Sequence, residues 1–308
     1  MERADLQLVQ SIRDAGSLTA AAALLGKTSP AVTKRLAALE AKLGVKLFYR
    51  TTRRVAATAE GELLCERATA LLAGFTQAEE ALRDQAREPS GQIRLAATFG
   101  FGRVWLGAAL CDFQMRHPQV RIDLQLTEKL PDLVAQGFDA AVWLWAPQAN
   151  RTSEWSATLL ATNERVLVAA PSYIKARGKP RSLEELSAHD CLQVRESDTP
   201  SGTWHLSKEG EKERAQASNA IKVKGALVSN SGELVRDWCL AGRGIMLRSL
   251  WDVAPLITSG ALVRLLPNYA MRNANIQWLA PFRAQTPKRV QLLRTHLMVR
   301  FKARPWEK

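Results

Sequence analysis

One short stretch near the start of the chain carries hydroxyl and cationic side chains at spacings that suit contacts with a nucleic acid. It reads KTSPAVTKRLAALEAKLG, residues 27–44, and three more arginines follow within residues 50–54. Serine and threonine hydroxyls bond to base edges or phosphates, and lysine and arginine reach phosphates or guanine acceptors. The candidate DNA-binding residues are Ser17, Thr28, Ser29, Pro30, Thr33, Lys34, Arg35, Arg50, Arg53 and Arg54.

Apolar spacing predicts the helices that hold these residues. Val32, Leu36 and Leu39 recur on one helix face, so the opposite face carries the cations. Gly26 ends the preceding helix, and Pro30 suits the first turn of this one. Two helices joined by a short turn, with a basic outward face, follow the helix-turn-helix plan. The alternative interpretation is a basic face that is only solvated.

A hairpin and a long helix are predicted next. The segments KLFYR (46–50) and RRVAAT (53–58) are short and extended, and a helix follows from about residue 59 to 87. Its apolar residues form two seven-residue series, four residues out of phase, as in a paired-helix seam. The predicted dimerisation residues are Leu64, Leu71, Phe75 and Leu82. The alternative is a helix packed only on its own domain.

Beyond the break REPSGQ (87–92), apolar strands alternate with helical patterns, which indicates an α/β domain. Ligands of such domains bind beyond the carboxyl ends of the strands, and a hydroxyl at a helix start suits a carboxylate. The candidate ligand-binding residues are Thr98, Phe99, Gly100, Thr127, Trp143, Trp145, Ser201, Thr203, Asn230 and Ser231. The alternatives are hydroxyls that only cap helices or end strands, and tryptophans that belong to the core.

Charge favours a polyanionic partner for the first segment in particular. The 308 residues carry a net charge of +13. Residues 1–58 hold ten basic and four acidic side chains, whereas residues 59–90 hold three and seven. This separation indicates different roles along the chain.

Neither catalysis nor a metal site is expected. The four cysteines are Cys65, Cys111, Cys191 and Cys239; they form no CxxC pair, and we expect four buried thiols in a reducing cytoplasm. The histidines are isolated from one another, and no nucleophile, zinc or phosphate-loop motif is present. His189, Asp190 and Cys191 are adjacent, but neighbouring side chains rarely converge on one point. We therefore predict no enzyme and no cofactor.

The N-terminal sequence predicts a cytoplasmic protein. MERADLQLVQ contains acidic residues and no long apolar run, so it does not have the pattern of a secretory signal. No stretch of the chain reaches about 18 apolar residues, so no membrane span or membrane partner is expected.

The segment GSLTAAAALLGKTSPAVTKRLAALEAKLGVKLFYRTTRRVAATAEGE resembles the N-terminal signature of LysR-type transcriptional regulators. HPQVRIDL, LVAQGFDAAV, RVLVAAPSYIKARGKP, SLEELSAHDCL and AGRGIMLRS resemble their effector domain, in the usual order. Three features depart from the family pattern. Thr33 replaces a common serine, a leucine is missing before Thr58, and Trp143 and Trp145 replace an arginine and a small residue.

The resemblance implies an α+β protein: a winged helix-turn-helix (1–58), a linker and dimerisation helix (59–88) and an effector-binding α/β domain (89–308). The last would have two subdomains like a periplasmic solute-binding protein, the first about 91–167 with 270–305 and the second about 168–269. The partners implied are double-stranded DNA, a small-molecule effector and further copies of the chain in a homodimer or homotetramer. RNA polymerase is a further candidate partner.

The function predicted from these observations is sequence-specific transcriptional regulation under the control of a small organic acid. We expect an acid with an apolar or aromatic body, held by Thr98 and stacked on a tryptophan. Three alternatives stay open at this point: a C-terminal domain that serves only oligomerisation, a solute-binding protein, and a DNA-architectural protein.

Overall fold

The computed structural model describes residues 1–50, 55–83, 88–144, 155–195, 202–208, 220–272, 274–282 and 286–307. The predictions for Arg53, Arg54, Trp145 and Ser201 lie outside these residues. The chain divides into two compact units, Met1–Glu88 with Asp132–Phe138 and Pro89–Pro131 with Asp139–Lys308. No helix in the described ranges is long and apolar enough to cross a membrane.

The first unit contains the predicted winged helix-turn-helix and the long helix after it. Its elements are α1 (Arg3–Ala15), α2 (Leu18–Leu24), α3 (Ser29–Leu43), β1 (Phe48–Arg50), β2 (Val55–Ala57) and α4 (Ala59–Arg83). Gly16 ends α1 at a φ of 60°, a left-handed conformation that glycine adopts without strain. Pro30 lies in the first turn of α3, where no backbone N–H is needed. β1 and β2 pair antiparallel and form the wing.

Elements of the second unit begin with a strand and a continuous helical segment. They are β3 (Gly91–Ala97), α5 (Phe99–Phe101), a π-helical turn (Gly102–Leu106), α6 (Gly107–Arg116), β4 (Val120–Leu126), β5 (Ala140–Trp143), β6 (Trp155–Ala161), β7 (Arg165–Ala169), α7 (Pro171–Arg177), a 3-10 turn (Glu184–Ala188) and β8 (Cys191–Val194). Then come β9 (Thr203–His205), β10 (Ser207–Lys208), β11 (Ala220–Lys222), β12 (Val228–Ser229), α8 (Gly232–Leu240), β13 (Ile245–Ser249), α9 (Leu250–Thr258), β14 (Val263–Leu265), β15 (Tyr269–Ala270), β16 (Ile276–Pro281), α10 (Lys288–Lys302) and a 3-10 turn (Pro305–Glu307).

Two five-stranded sheets define two subdomains of this unit. Subdomain I has the strand order β4-β3-β5-β16-β6, and subdomain II has the order β12-β8-β13-β7-β14. β3 runs parallel to β4 and β5, so the carboxyl ends of these three strands lie at one edge. The predicted boundary at 167/168 falls inside β7, whose residues all belong to the second sheet. The chain crosses from subdomain I after β6 and returns before β16.

Candidate functional site

The structure places the predicted cationic face on the outside of α3. Val32, Leu36 and Leu39 are buried in the core of the first unit, whereas Pro30 and Lys34 are exposed. The half-buried Thr33 lies on the same helix, one residue before Lys34. This arrangement leaves a helix of small and cationic side chains free to approach a groove.

Two of the other candidate DNA-binding residues lie at helix N-termini, and a third lies on the wing. Ser17 caps α2 by accepting a hydrogen bond from the Ala20 amide at 3.5 Å. Thr28 holds the N-cap position of α3, but its side chain makes no capping bond. Arg50 lies on the wing, opposite Val55.

Arg35 makes ion pairs within its own unit in addition to the DNA contact predicted for it. Its guanidinium contacts Asp5 at 2.8 Å and Glu2 at 3.0 Å, both at the start of α1. These ion pairs join α3 to α1. Because the two carboxylates offset the positive charge of Arg35, it is a weaker candidate for a phosphate contact than Lys34.

Glu40 anchors the wing, and neither its residue type nor its spacing predicts this role. Its side chain is 3% exposed. One oxygen accepts hydrogen bonds from the Leu47 and Phe48 amides at 2.9 and 3.4 Å, and the other accepts from Lys46 Nζ at 2.9 Å. The carboxylate thereby fixes the chain where α3 gives way to the wing.

The long helix α4 presents two faces. On one face, Cys65 and Ala68 are buried in the core of the first unit, and Gln10 donates to Thr69 across the contact with α1. Leu64 packs partly against the same core, so only part of its side chain is left for the predicted seam between chains. The side chain of Leu82 lies outside the described residues.

The other face of α4 exposes apolar side chains. Leu71 and Phe75 are each 47% exposed, and Leu63 is 56% exposed. Arg3 lies over the Phe75 ring, 5.9 Å from its centroid. Leu71 and Phe75 belong to the predicted seam and are not covered by their own unit, whereas Leu63 lies outside that prediction.

A narrow cavity lies between the two subdomains, at the carboxyl end of β3. We call it the cleft cavity; about 40 Å³ of it is open to water-sized molecules. Its lining residues are Thr98, Gly100, Glu128, Leu144, Arg165, Val194, Gly232, Glu233, Arg248, Ser249 and Trp251. Thr98 is 4% exposed, and within the described part of the chain its Oγ1 has no hydrogen-bond partner.

Several predicted effector residues lie elsewhere. Trp143 is 1% exposed and does not line the cleft cavity, because β5 is the central strand of its sheet and is covered on both faces. The Ser231 hydroxyl caps α8 by accepting from the Leu234 amide. The Thr127 hydroxyl is held in a turn by Lys129. The residues absent from the lining, among those described, are Phe99, Thr127, Trp143, Thr203, Asn230 and Ser231.

An arginine pair on the subdomain II side was not anticipated. Asp252, buried beneath the cleft cavity, accepts from Arg248 Nε and from Arg236 Nη1, both at 2.5 Å. Arg248 Cζ lies 5.4 Å from the centroid of the Trp251 ring. The sequence could not connect these residues to Thr98, which lies about 150 positions earlier and on another sheet.

Cysteine and histidine do not form a reactive centre among the described residues. Burial raises the pKa of Cys65 to about 11 and those of Cys191 and Cys239 to about 12, so these thiols are poor nucleophiles. Cys111 is exposed, contrary to the expectation of four buried thiols. His189 bonds to Tyr173 at 3.1 Å, away from the buried Cys191. No group of metal-ligating side chains occurs in the described ranges.

Comparison with protein-family models gives two matches that together span most of the chain. The model of the LysR substrate binding domain matches residues 86–302. The model of the bacterial regulatory helix-turn-helix protein, lysR family, matches residues 4–62.

Similar curated proteins and solved structures cover nearly the same span. The HTH-type transcriptional activator TtdR of Escherichia coli is 40% identical over 272 residues, 88% of this chain and 84% of that protein. The HTH-type transcriptional regulator DmlR of Escherichia coli is 39% identical over 289 residues, 94% and 91% of the two chains. The full-length structure of the Vibrio cholerae virulence activator AphB matches with a TM-score of 0.62 at 22% identity, over 97% and 99% of the chains, and supports the fold alone.

Proposed function

Because the chain belongs to the family of LysR-type transcriptional regulators, we propose that it senses a small organic acid in the cleft cavity. As a member of that family it is a sequence-specific DNA-binding regulator controlled by a small-molecule effector. The acid itself, the cavity and the residues that contact DNA and effector are the proposal.

The observation that carries the proposal is the buried Thr98 hydroxyl. A buried hydroxyl without a partner loses free energy, and a ligand oxygen in the cleft cavity would restore the missing hydrogen bond. A water molecule needs about 10–15 Å³ of such space, so the cavity holds about three waters. This size favours a compact acid over the aromatic body that the sequence suggested.

Thr98→Ala is expected to weaken binding of the acid about tenfold, since one hydrogen bond to a charged oxygen is lost. Calorimetry with acetate, succinate and benzoate on the full chain measures this. Thr127→Ala is the matched control, because Thr127 ends the neighbouring strand and does not line the cleft cavity. Equal affinities in wild type and Thr98→Ala would contradict the placement of the acid.

On the DNA side, Thr33 and Lys34 are proposed to contact the operator. Thr33→Ala should lower specific affinity by roughly 1–3 kcal/mol if the contact is to a base. Lys34→Ala should reduce the slope of log affinity against log salt by about one unit. Binding is measured on a promoter fragment selected by the wild-type protein, with Lys42→Ala in the last turn of α3 as control. Unchanged affinity and slope in both variants would contradict the assignment of this helix face.

The same proposal includes assembly and location. LysR regulators oligomerise, and the exposed face of α4 gives this chain an apolar surface for a homodimer or homotetramer. A protein that meets genomic DNA in a bacterium works in the cytoplasm, where RNA polymerase is a further proposed partner. The poorly nucleophilic cysteines support a role without catalysis.

A further inference from the structure

We propose that Arg248 is the residue that selects an anionic effector, by receiving a carboxylate at the start of α8. The inference rests on the proposed function, because it concerns the chemistry of the same cavity. Asp252 is assigned a different role as a positioning residue, which holds Arg248 without touching the ligand.

Arg248 is held through its Nε and its guanidinium face, whereas its terminal nitrogens have no acceptor among the residues that the structure describes. Its Nε donates to Asp252 and its guanidinium lies over the Trp251 ring. The side chain is only 13% exposed. Within the described residues, its two terminal nitrogens have no acceptor. A buried guanidinium with two parallel N–H groups unused is suited to a bidentate carboxylate.

The free end of Arg248 fills space that two glycines leave open. A Cβ atom on Gly232 would clash with Arg248 Nη1, and one on Gly100 would lie 3.5 Å from Nη2. Gly232 is the first residue of α8, a helix of nine residues. Gly100 belongs to subdomain I, so the guanidinium lies against both walls of the cleft cavity.

This position is electrostatically unfavourable unless an anion is present. The N-terminus of a helix carries a partial positive charge, and a guanidinium beside it is repelled. Asp252 offsets this only in part, because it also accepts from Arg236, whose other carboxylate contact, Asp237, is longer at 3.7 Å. An anion on the cavity side of the guanidinium, next to the start of α8, would interact favourably with both.

The other groups around the cavity are compatible with this assignment. Glu233 is paired with Arg103 at 2.9 Å, and the remaining charged lining residues, Arg165 and Glu128, are opposite in sign. The Thr98 hydroxyl, nine-tenths buried and without a partner among the described residues, lines the same space from subdomain I. A carboxylate here would therefore connect the two subdomains.

The test compares acids with neutral molecules of the same shape. The full chain is titrated with acetate, succinate and benzoate, each beside acetamide, succinamide or benzamide. Wild type should prefer the acid. In Arg248→Gln the affinity for the acid should fall about 10- to 100-fold, with little change for the amide, so that the preference disappears. Arg243→Gln removes an exposed cation before the start of β13, away from the cleft cavity, and should leave the preference unchanged.

Two further variants test the same proposal in case Arg248→Gln does not fold. Gly232→Ala keeps the arginine but fills the space of its guanidinium, and it should remove the preference in the same way. Asp252→Asn should reduce it, because Arg248 is no longer held; a purely structural role would weaken acid and amide equally. Circular dichroism checks the fold of each variant.

The possible outcomes separate this inference from the proposed function. If wild type binds an acid and both Arg248→Gln and Gly232→Ala keep its preference over the amide, the role of Arg248 is wrong while the acid-sensing function stands. If no acid of the panel binds wild type, the proposed function is contradicted and the inference falls with it.

Discussion

Leu71→Asp is expected to convert the assembled protein into monomers. Leu71 is 47% exposed in the single chain, in the middle of the apolar face of α4. In a pair of α4 helices this side chain would be buried against a second copy, and an aspartate there would carry an unpaired charge into an apolar contact.

The expected effect is large because a twofold interface contains each substitution twice. Only about half of the Leu71 side chain remains to be buried by a partner, so its loss costs about 1 kcal/mol per copy and about 2 kcal/mol per dimer before the charge is counted. The dissociation constant of the dimer should therefore rise about 30-fold from lost burial alone, and further because the two aspartates bring charge into the contact.

Sedimentation velocity over a range of protein concentrations measures this change. Leu24→Asp is the control, because Leu24 is also an exposed leucine of the first unit but lies on α2. A dimer that persists in Leu71→Asp at the same concentrations as in wild type would exclude this face of α4 from the interface. Phe75→Asp, on the same face, should behave like Leu71→Asp.

The spacing of apolar residues predicted the helices and strands well where their formation depends on nearby residues in the sequence. Val32, Leu36 and Leu39 lie on one helix face in any environment, and Pro30 fixes where that helix begins. The wing and the α/β pattern of the second unit were predicted for the same reason: short alternating or apolar runs bounded by turn residues.

The spacing of apolar residues did not show which part of the protein covers each apolar face of a helix or strand. The seven-residue spacing on α4 holds in the sequence, but α1 of the same chain covers part of that helix. Leu64 therefore packs partly against the core of its own unit, whereas Leu71 is exposed. Trp143 alternates with its neighbours as a strand residue should, yet it lies in the core because all four residues of β5 are buried, so both faces of this strand are covered. Both outcomes depend on tertiary contacts that no local pattern contains.

Of the candidate effector site, the sequence predicted only residues on the subdomain I side of the cleft cavity. The end of β3 followed by a helix pointed to Thr98, since a strand end and a hydroxyl are visible in sequence. Arg248 and Trp251 belong to a segment that reads as a strand followed by a helix, with no local sign of ligand binding. Their role arises only when two sheets from distant parts of the chain meet at one cavity.

Glu40→Ala is expected to destabilise the winged helix-turn-helix strongly. The substitution leaves the buried amides of Leu47 and Phe48 without their acceptor, at a cost of about 1–3 kcal/mol each. A total of about 2–6 kcal/mol is a large share of the stability of a small domain, about 5–15 kcal/mol. Hydrogen exchange of the Leu47 and Phe48 amides should accelerate accordingly. Glu66→Ala, an exposed glutamate of α4, should change neither amide.

The contribution of Glu40 should also depend on pH with a definite sign. Burial alone would raise the pKa of Glu40, but hydrogen bonds from Lys46 and from the Leu47 and Phe48 amides outweigh it and hold the pKa below its ordinary value. A carboxyl with a lowered folded pKa contributes fully above its unfolded pKa, about 4.3 for glutamate. That contribution is lost as the pH falls through the lower folded value.

Wild type and the neutral isostere Glu40→Gln should therefore differ most near neutral pH, and the difference should shrink progressively as the pH falls below the unfolded pKa of about 4.3. Urea denaturation of both proteins between pH 3 and 7, followed through exchange of the Leu47 and Phe48 amides, measures the difference. A difference that stays constant across this range would mean that the charge of Glu40 does not hold the wing, and that only its shape fills the site.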